Sequence, residues 1–320
     1  MKIVILDGYT LNPGDLNWSG LSDFASAGEF TSFERTAESE LLSRAKNAEI
    51  LFTNKTVISA NTLAELPKLK YIGVLATGTN VVDLVAAKQH GVVVTNVPGY
   101  GPDAVAQMVF SHILHHTQQV AVHHHAVVAG AWTECEDFCF TLSPLQSLKG
   151  KTLGLMGYGA IGQQVANIAL AFGMTVLVNT RTPLLDLPVG VKWCKLDEML
   201  PQVDILSLHC PLTQETDKII NRALLSLMRK TSILINTARG GLIDEAALSQ
   251  ALLDGEIAAA GVDVLSTEPP EKDNPLLTAV NISISPHNSW ATREARQNLL
   301  NIAIENVAAF LNGKAKNRVN

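Results

Sequence analysis

The sequence predicts an α/β protein of two doubly wound parallel-sheet domains, the second inserted within the first. Three observations predict it. The chain has 320 residues, more than one core of ordinary size accommodates. Short β-branched runs alternate with helical stretches, and the alternation restarts midway after a polar connector. A hydrophobic fraction of 47% against 17% charged residues supplies two cores and excludes disorder.

The first half carries KIVILDG (2–8), EILFTN (49–54), KYIGVLA (70–76) and VVVTN (92–96), the marks of a parallel sheet flanked by helices. After Pro98, Gly99, Gly101 and Pro102, one long apolar-rich helix is expected over 103–128, long enough to act as a spine between domains or subunits. A connector with Trp132 and Phe138 ends at SLKGK (147–151). Six strands then follow: TLGLMG (152–157), TVLVN (175–179), DILSLHC (204–210), SILINTA (232–238), AAGVDV (259–264) and ISISPH (282–287). Helical segments such as 163–173 and 244–255 separate most of them, the pattern of a doubly wound sheet. A last helix, 289–311, has an apolar stripe through Leu299, Ala303, Val307 and Phe310 and is closed by Gly313. It lies beyond the sixth strand and is free to pack on the first domain, so the expected division is 1–101 with 288–320 against 102–287.

Charge narrows the partners. The formal net charge is −6 and the cations are dispersed, so no footprint for nucleic acid or an anionic membrane is expected. The apolar run in MKIVILDGY is too short for a signal-peptide core, and no stretch approaches a membrane span. A cytoplasmic protein is expected, with Cys135, Cys139, Cys194 and Cys210 reduced. His112, His115 and His116 have helical ligand spacing and His123 to His125 form a run, but no Cys, Asp or Glu between Asp103 and Gly130 completes a metal set. These histidines read as a solvated or subunit-facing helix surface, with no metal.

Gly157-Tyr158-Gly159-Ala160-Ile161-Gly162 follows a strand and opens a helix. In that context Gly157 permits the tight turn, Gly159 lets backbone approach a pyrophosphate, and Gly162 allows helix-on-strand packing. The helix N-terminus adds a positive field. A dinucleotide cofactor is therefore expected on the second domain.

Ligands of such sheets bind beyond the carboxyl ends of the strands. Arg239 ends the fourth strand of the second domain, Glu268 follows the fifth and His287 ends the sixth. A guanidinium can hold a carboxylate bidentately and polarise an adjacent carbonyl. A histidine can donate the proton that completes carbonyl reduction, and a neighbouring carboxylate favours its imidazolium form. Taken singly, Arg239 reads equally as an ion-pair partner, Glu268 as a turn carboxylate and His287 as a strand-end histidine. Their convergence on one nucleotide fold favours the chemical reading.

With these residues in place, the sequence resembles the D-isomer-specific 2-hydroxy acid dehydrogenase family over essentially its whole length, closest to its glycerate dehydrogenase and hydroxypyruvate reductase branch. The matching segments are LATGTNVVDL (75–84), LGLMGYGAIG (153–162), HCPLTQET (209–216), INTARGGLIDE (235–245), GVDVLSTEPP (261–270) and SPHNSW (285–290). The resemblance implies a Rossmann domain inserted into a flavodoxin-like substrate domain, Arg239, Glu268 and His287 as the catalytic trio, and a cleft that closes between the domains. It also implies that backbone around Thr77 and Gly78 holds the substrate carboxylate, that Asp263 meets the nicotinamide carboxamide, and that Ala160 and Ile161 line the diphosphate turn. Cys210, Pro211 and Thr213 would lie near the adenosine, Thr237 and Ala238 beside the nicotinamide, and a homodimer would form largely through the nucleotide domains. Trp290 would stand at the substrate end of the cleft, or else pack as a helix-start aromatic. Lys55 reads either as facing the cleft or as a solvated loop lysine.

One position departs from the NAD pattern, which places an acid at the end of the second strand. Here TVLVN continues as Thr180-Arg181-Thr182-Pro183, with no acid before Asp186. A free ribose loses its carboxylate partner, and Arg181 with the flanking hydroxyls favours a 2′-phosphate. The expected cofactor is NADP or NAD, NADPH preferred. The expected activity is hydride transfer between that cofactor and a small 2-oxo acid, foremost hydroxypyruvate with glyoxylate secondary. A reductase of another 2-oxo acid such as pyruvate, or a dinucleotide-sensing corepressor or scaffold, is the alternative.

Overall fold

Apolar runs of three to five residues, too short for helices, become strands wherever both faces are covered, and the computed structural model of residues 1–320 shows twelve of them in two sheets. The chain divides into two units, Met1–Gly101 with Trp290–Asn320, and Pro102–Ser289.

The first unit runs β1 (Ile3–Ile5), α1 (Ser19–Ser22), β2 (Phe30–Ser32), α2 (Glu38–Ala45), β3 (Ile50–Thr53), α3 (Ala60–Ala64), β4 (Tyr71–Val74), α4 (Leu84–Gln89) and β5 (Val93–Thr95). Its sheet is wholly parallel in the order β2-β1-β3-β4-β5. The central strands are buried on both faces, as their unbroken apolar runs require. β2 was not foreseen: its Phe-Thr-Ser sequence lies on the sheet edge and is half exposed, so it carries no run of apolar residues.

The second unit begins with α5 (Pro102–Gln118) and α6 (Val120–Val128). The single helix expected over 103–128 is therefore broken, because Gln119 adopts a left-handed conformation with φ 51°. Then come β6 (Thr152–Met156), α7 (Ala160–Ala171), β7 (Thr175–Asn179), β8 (Val191–Trp193), α8 (Leu196–Met199), β9 (Ile205–Leu208), α9 (Arg222–Leu225), β10 (Ile233–Asn236), α10 (Glu245–Leu253), β11 (Ala259–Val262) and β12 (Ile282–Ile284). The sheet order is β12-β11-β10-β9-β6-β7-β8, all parallel. It is the doubly wound pattern with one strand more than the six expected. The addition is β8, three residues with an exposed lysine at the centre, which no periodicity marks.

The histidines of α5 are also placed differently from the solvated surface expected. His112 is buried and His116 half-buried, both facing β11 and β12. His115, His124 and His125 do reach solvent.

The chain closes with α11 (Arg293–Leu311), which starts four residues later than expected because Thr292 caps it, accepting a hydrogen bond from the Ala295 amide at 3.2 Å. Its Leu299, Leu300, Ala303 and Val307 share one apolar cluster with Ile3, Ile5, Phe52 and Tyr71 of the first unit. Beyond it the last residues run along β5. Val319 donates to the Val94 carbonyl at 2.9 Å, and the Asn320 side chain accepts from the Val94 amide at 3.0 Å. No helix is long and apolar enough to cross a membrane.

Candidate active site

The carboxyl ends of β6, β9, β10, β11 and β12 carry nearly every residue singled out in the second unit. At β6 the chain turns through Gly157 with φ 106°, a conformation that disfavours any residue with a side chain. A Cβ there would also meet the His209 carbonyl at 2.6 Å, and one on Gly162 would meet the Gly157 carbonyl at 2.6 Å. At Gly159, by contrast, a Cβ would meet nothing within 4 Å. Space therefore remains open over the first turn of α7, where Ala160 is exposed and Ile161 half-buried. The unpaired amides of that turn face it.

The next strand end brings Thr180 and Arg181. The Thr180 hydroxyl donates to the Thr182 carbonyl at 2.7 Å and accepts from the Trp193 indole at 3.2 Å. Its only proton is thus engaged within the loop. Arg181 is exposed and near enough to Glu215 to help hold that carboxyl below its usual range, behind the larger effect of a hydrogen bond from Thr213 at 2.6 Å. After β9, burial pushes the Cys210 thiol up and keeps it protonated, while Pro211 and Thr213 are exposed on the following turn. Burial lowers His209 to about 4, so this ring, paired with Ser207 at 2.9 Å, is neutral.

After β10, Asn236 folds the backbone back. Its side chain accepts from the Ala238 amide at 3.0 Å and donates to the Arg239 carbonyl at 2.9 Å. Gly240 then passes so close to the segment after β11 that a Cβ would lie 1.9 Å from the Leu265 carbonyl carbon. The Arg239 turn and the Glu268 turn are thereby held side by side. Arg239 is exposed, its guanidinium touching only the neighbouring Ala238 carbonyl among the bonds resolved. The Thr237 hydroxyl is buried without a partner, a polar atom awaiting a ligand or water.

Glu268 and His287 meet directly, Oε2 to Nδ1 at 2.6 Å, each about a third exposed (35% and 32%). The other Glu268 oxygen accepts from the Leu265 amide at 3.1 Å, which fixes the carboxylate. Two residues that sequence reasoning left without a role support this pair. Glu245, at the start of α10, accepts from Ser266 and Asn274 and clamps the turn that carries Glu268. Ser285 donates to Asp263 at 2.6 Å, and buried Asp263 also accepts from the amides of Asn288 and Ser289, both at 3.0 Å. His287 itself has φ 50° and donates its amide to the Asp263 carbonyl at 2.8 Å.

In the first unit, Lys55 follows β3 on a turn organised by buried Asp7, which accepts from the amides of Asn54, Lys55 and Thr56. The Lys55 side chain is exposed. An acid directly after an apolar strand is the signal for Asp7 in the sequence. Thr77 follows β4 and donates to the Val97 carbonyl at 2.9 Å, with half-buried Gly78 beside it. Trp290 is half-buried, its ring edge-on to Tyr100 at 6.3 Å, on the border of the cluster that α11 completes.

The open glycine turn, the helix N-terminus and the orphan Thr237 hydroxyl fit a dinucleotide, and an acid–histidine pair stands beyond neighbouring strands. Together they define a dinucleotide-linked oxidoreductase. Residues 110–289 match the family model described as the NAD binding domain of D-isomer specific 2-hydroxyacid dehydrogenases. The chain is 44% identical over 325 residues to the hydroxypyruvate reductase of Blautia hydrogenotrophica, covering 100% of both chains. It is 39% identical to the glycerate dehydrogenase of Methylorubrum extorquens, covering 99% of this chain and 98% of that one. Among solved structures, the NADPH-dependent glyoxylate/hydroxypyruvate reductase of Sinorhizobium meliloti, in complex with NADP and malonate, superimposes with a TM-score of 0.81 at 29% identity, covering 99% of this chain and 96% of that one. The chain belongs to the D-isomer specific 2-hydroxyacid dehydrogenase family and is an oxidoreductase that uses a nicotinamide dinucleotide.

Proposed function

We propose that the enzyme reduces hydroxypyruvate to glycerate, with glyoxylate as a secondary substrate, and that Arg239, Glu268 and His287 perform the chemistry. The observation that carries this reading is the 2.6 Å contact between Glu268 and His287 beside the Arg239 turn. A reduced nicotinamide held by the glycine turn would supply the hydride that the carbonyl carbon receives. His287, with Nδ1 donating to Glu268, gives the matching proton to the carbonyl oxygen from Nε2. Glu268 fixes the tautomer and orients the ring. Arg239 holds the substrate carboxylate and polarises the carbonyl. The end-to-end similarity to a hydroxypyruvate reductase and a glycerate dehydrogenase supports the choice of substrate. The cofactor groups are assigned to Gly157, Gly159, Ala160, Ile161 and Gly162 for the diphosphate, to Cys210, Pro211 and Thr213 for the adenosine side, and to Thr237, Ala238 and Asp263 for the nicotinamide side. Lys55, Thr77, Gly78 and Trp290 are assigned to the substrate.

NADPH is the preferred cofactor in this reading, because no acid stands between Asn179 and Thr182 and Arg181 is exposed. The engaged Thr180 hydroxyl leaves Arg181 as the main 2′-phosphate contact. A homodimer is supported by α6, which buries none of its residues and leaves Val120 and Val128 each 73% exposed, and by Phe138, 89% exposed in the following connector. Four free cysteines accord with a reducing, cytoplasmic setting.

The test is catalytic efficiency with hydroxypyruvate, glyoxylate and pyruvate, each with NADPH and NADH. Hydroxypyruvate should lead, and NADPH should outperform NADH. Efficient reduction of pyruvate alone would overturn the substrate assignment, and a strong NADH preference would overturn the reading of Arg181.

A further inference from the structure

The chemistry proposed for His287 uses nothing from α5, yet a continuous chain of part-buried hydrogen bonds runs from α5 to the His287 turn. His116 Nε2 lies 2.8 Å from the Ala260 carbonyl and 3.0 Å from the Ser283 hydroxyl. That hydroxyl lies 2.7 Å from His112 Nδ1, and His112 Nε2 lies 3.1 Å from the Ser285 hydroxyl. Ser285 in turn is 2.6 Å from Asp263 Oδ1.

The proton positions along this chain are determined by elimination. A carboxylate only accepts, so Ser285 spends its one proton on Asp263. His112 Nε2 must then be the donor to Ser285, which makes Nδ1 of the neutral ring an acceptor. Ser283 donates to that Nδ1 and accepts from His116 Nε2–H, which is shared with the Ala260 carbonyl. Every bond points the same way, toward Asp263. Both rings are held in the neutral form this requires, since burial lowers His112 and brings His116 to about 4. The fit is also steric. A Cβ on Gly261 would lie 2.6 Å from His112 Cβ and 3.0 Å from Nδ1, so β11 is bare at the point where the ring rests on it.

Asp263 is where the chain meets the chemistry. Its carboxylate receives the amides of Asn288 and Ser289 and its carbonyl receives the amide of His287, which together hold the turn that sets His287 at φ 50°. We propose that His112 is a positioning residue for proton transfer: through Ser285 it fixes the Asp263 carboxylate, and through Asp263 the turn that aims His287. The proposal rests on the assignment of His287 as the proton donor, and it extends the site to a residue on a helix that touches neither substrate nor cofactor.

The test compares His112→Leu, which fills the space without a donor, with His112→Gln, whose Nε2 stands near that of the histidine. Ser285→Ala serves as a second variant that removes only the hydroxyl. His112→Leu and Ser285→Ala should lower kcat with hydroxypyruvate by on the order of tenfold to a hundredfold, as displacements of about 1 Å do. KM for hydroxypyruvate should change little, and His112→Gln should recover most of the loss. The decisive measurement is His112→Leu in a His287→Ala background, where no further loss of kcat is expected because the residue acts only through His287. An equal further loss there, failure of His112→Gln to recover activity, or wild-type turnover in both His112→Leu and Ser285→Ala would each overturn the proposal. High activity in His287→Ala alone would instead overturn the assignment of the proton donor.

Discussion

Two sets of histidines in the second unit differ in what their nitrogens meet. His112 and His116 are set against β11 and β12, with serine hydroxyls and a carbonyl as partners, and burial holds both toward the neutral form. His287 stands at a strand end, a third exposed, with the Glu268 carboxylate at 2.6 Å. A buried imidazole facing neutral partners serves as a fixed donor and acceptor. The same ring beside a carboxylate and open to a ligand can hold a proton and release it. Residue type alone does not distinguish these roles; the partner does.

The comparison breaks most severely at His287. Its replacement by Ala should lower kcat by about 100-fold to 10,000-fold, the usual contribution of proton donation, while NADPH binding followed by fluorescence stays near wild type. Glu268→Gln should cost less, on the order of tenfold or more in kcat, since the proton donor remains. Arg239→Ala should raise KM as well as lower kcat, with a combined loss in kcat/KM of about a hundredfold or more. Near-normal kinetics in purified His287→Ala or Arg239→Ala would remove the distinction drawn here.

Trp290 sharpens the substrate side. Trp290→Ala should change the ranking among hydroxypyruvate, glyoxylate and larger 2-oxo acids by about 1–3 kcal/mol of discrimination, with NADPH affinity little altered. A fixed ranking would leave the ring only its packing on Tyr100. For the cofactor, Arg181→Ala should reduce NADPH efficiency by on the order of tenfold. Glu215→Gln, which frees Arg181 of a competing carboxylate, should raise it by roughly twofold to threefold, as expected for an exposed charge pair. Ratios of kcat/KM with NADPH and NADH measure both.

The smallest effect on turnover, and the clearest on stability, belongs to half-buried His209. It stays neutral to about pH 4 in the folded protein but titrates near 6.5 when unfolded. Between those values the unfolded state binds more protons, so stability should fall as pH drops from about 6.5 toward 4 and should not depend on this group above about 7. Urea midpoints at pH 7.5 and 5 would show it, and His209→Gln should flatten the difference. An unchanged slope would mean that other groups carry the acid dependence.

Much of this was legible in the sequence, and the failures share a cause. Doubly covered parallel strands announce themselves as apolar runs, which is why β3, β4, β6 and β9 were found. The edge strands β2 and β8 are polar and half exposed, and nothing in FTS or VKW distinguishes them from loop. The break at Gln119 has neither glycine nor proline to mark it. His112 and His116 read as surface in the sequence because histidine is polar, whereas the serines that satisfy them lie about 170 positions away, at 283 and 285. Arg239, Glu268 and His287 could be singled out because strand ends are visible locally. Their supports, Glu245 and Ser285, act across loops and became visible only in three dimensions.

The shared apolar cluster of the first unit has a consequence for synthesis. Ile3, Ile5, Phe52 and Tyr71 complete their packing only with Leu299, Leu300, Ala303 and Val307 of α11. A ribosome adding about 5–20 residues per second makes the whole inserted unit before that helix exists, so the early strands wait on the order of ten seconds or more with one face uncovered. The inserted unit, encoded contiguously, can fold in that interval. Chains truncated after Ser289 and released from the ribosome should therefore resist protease over 102–289 and be cut within 1–101, the segment that lacks its last layer.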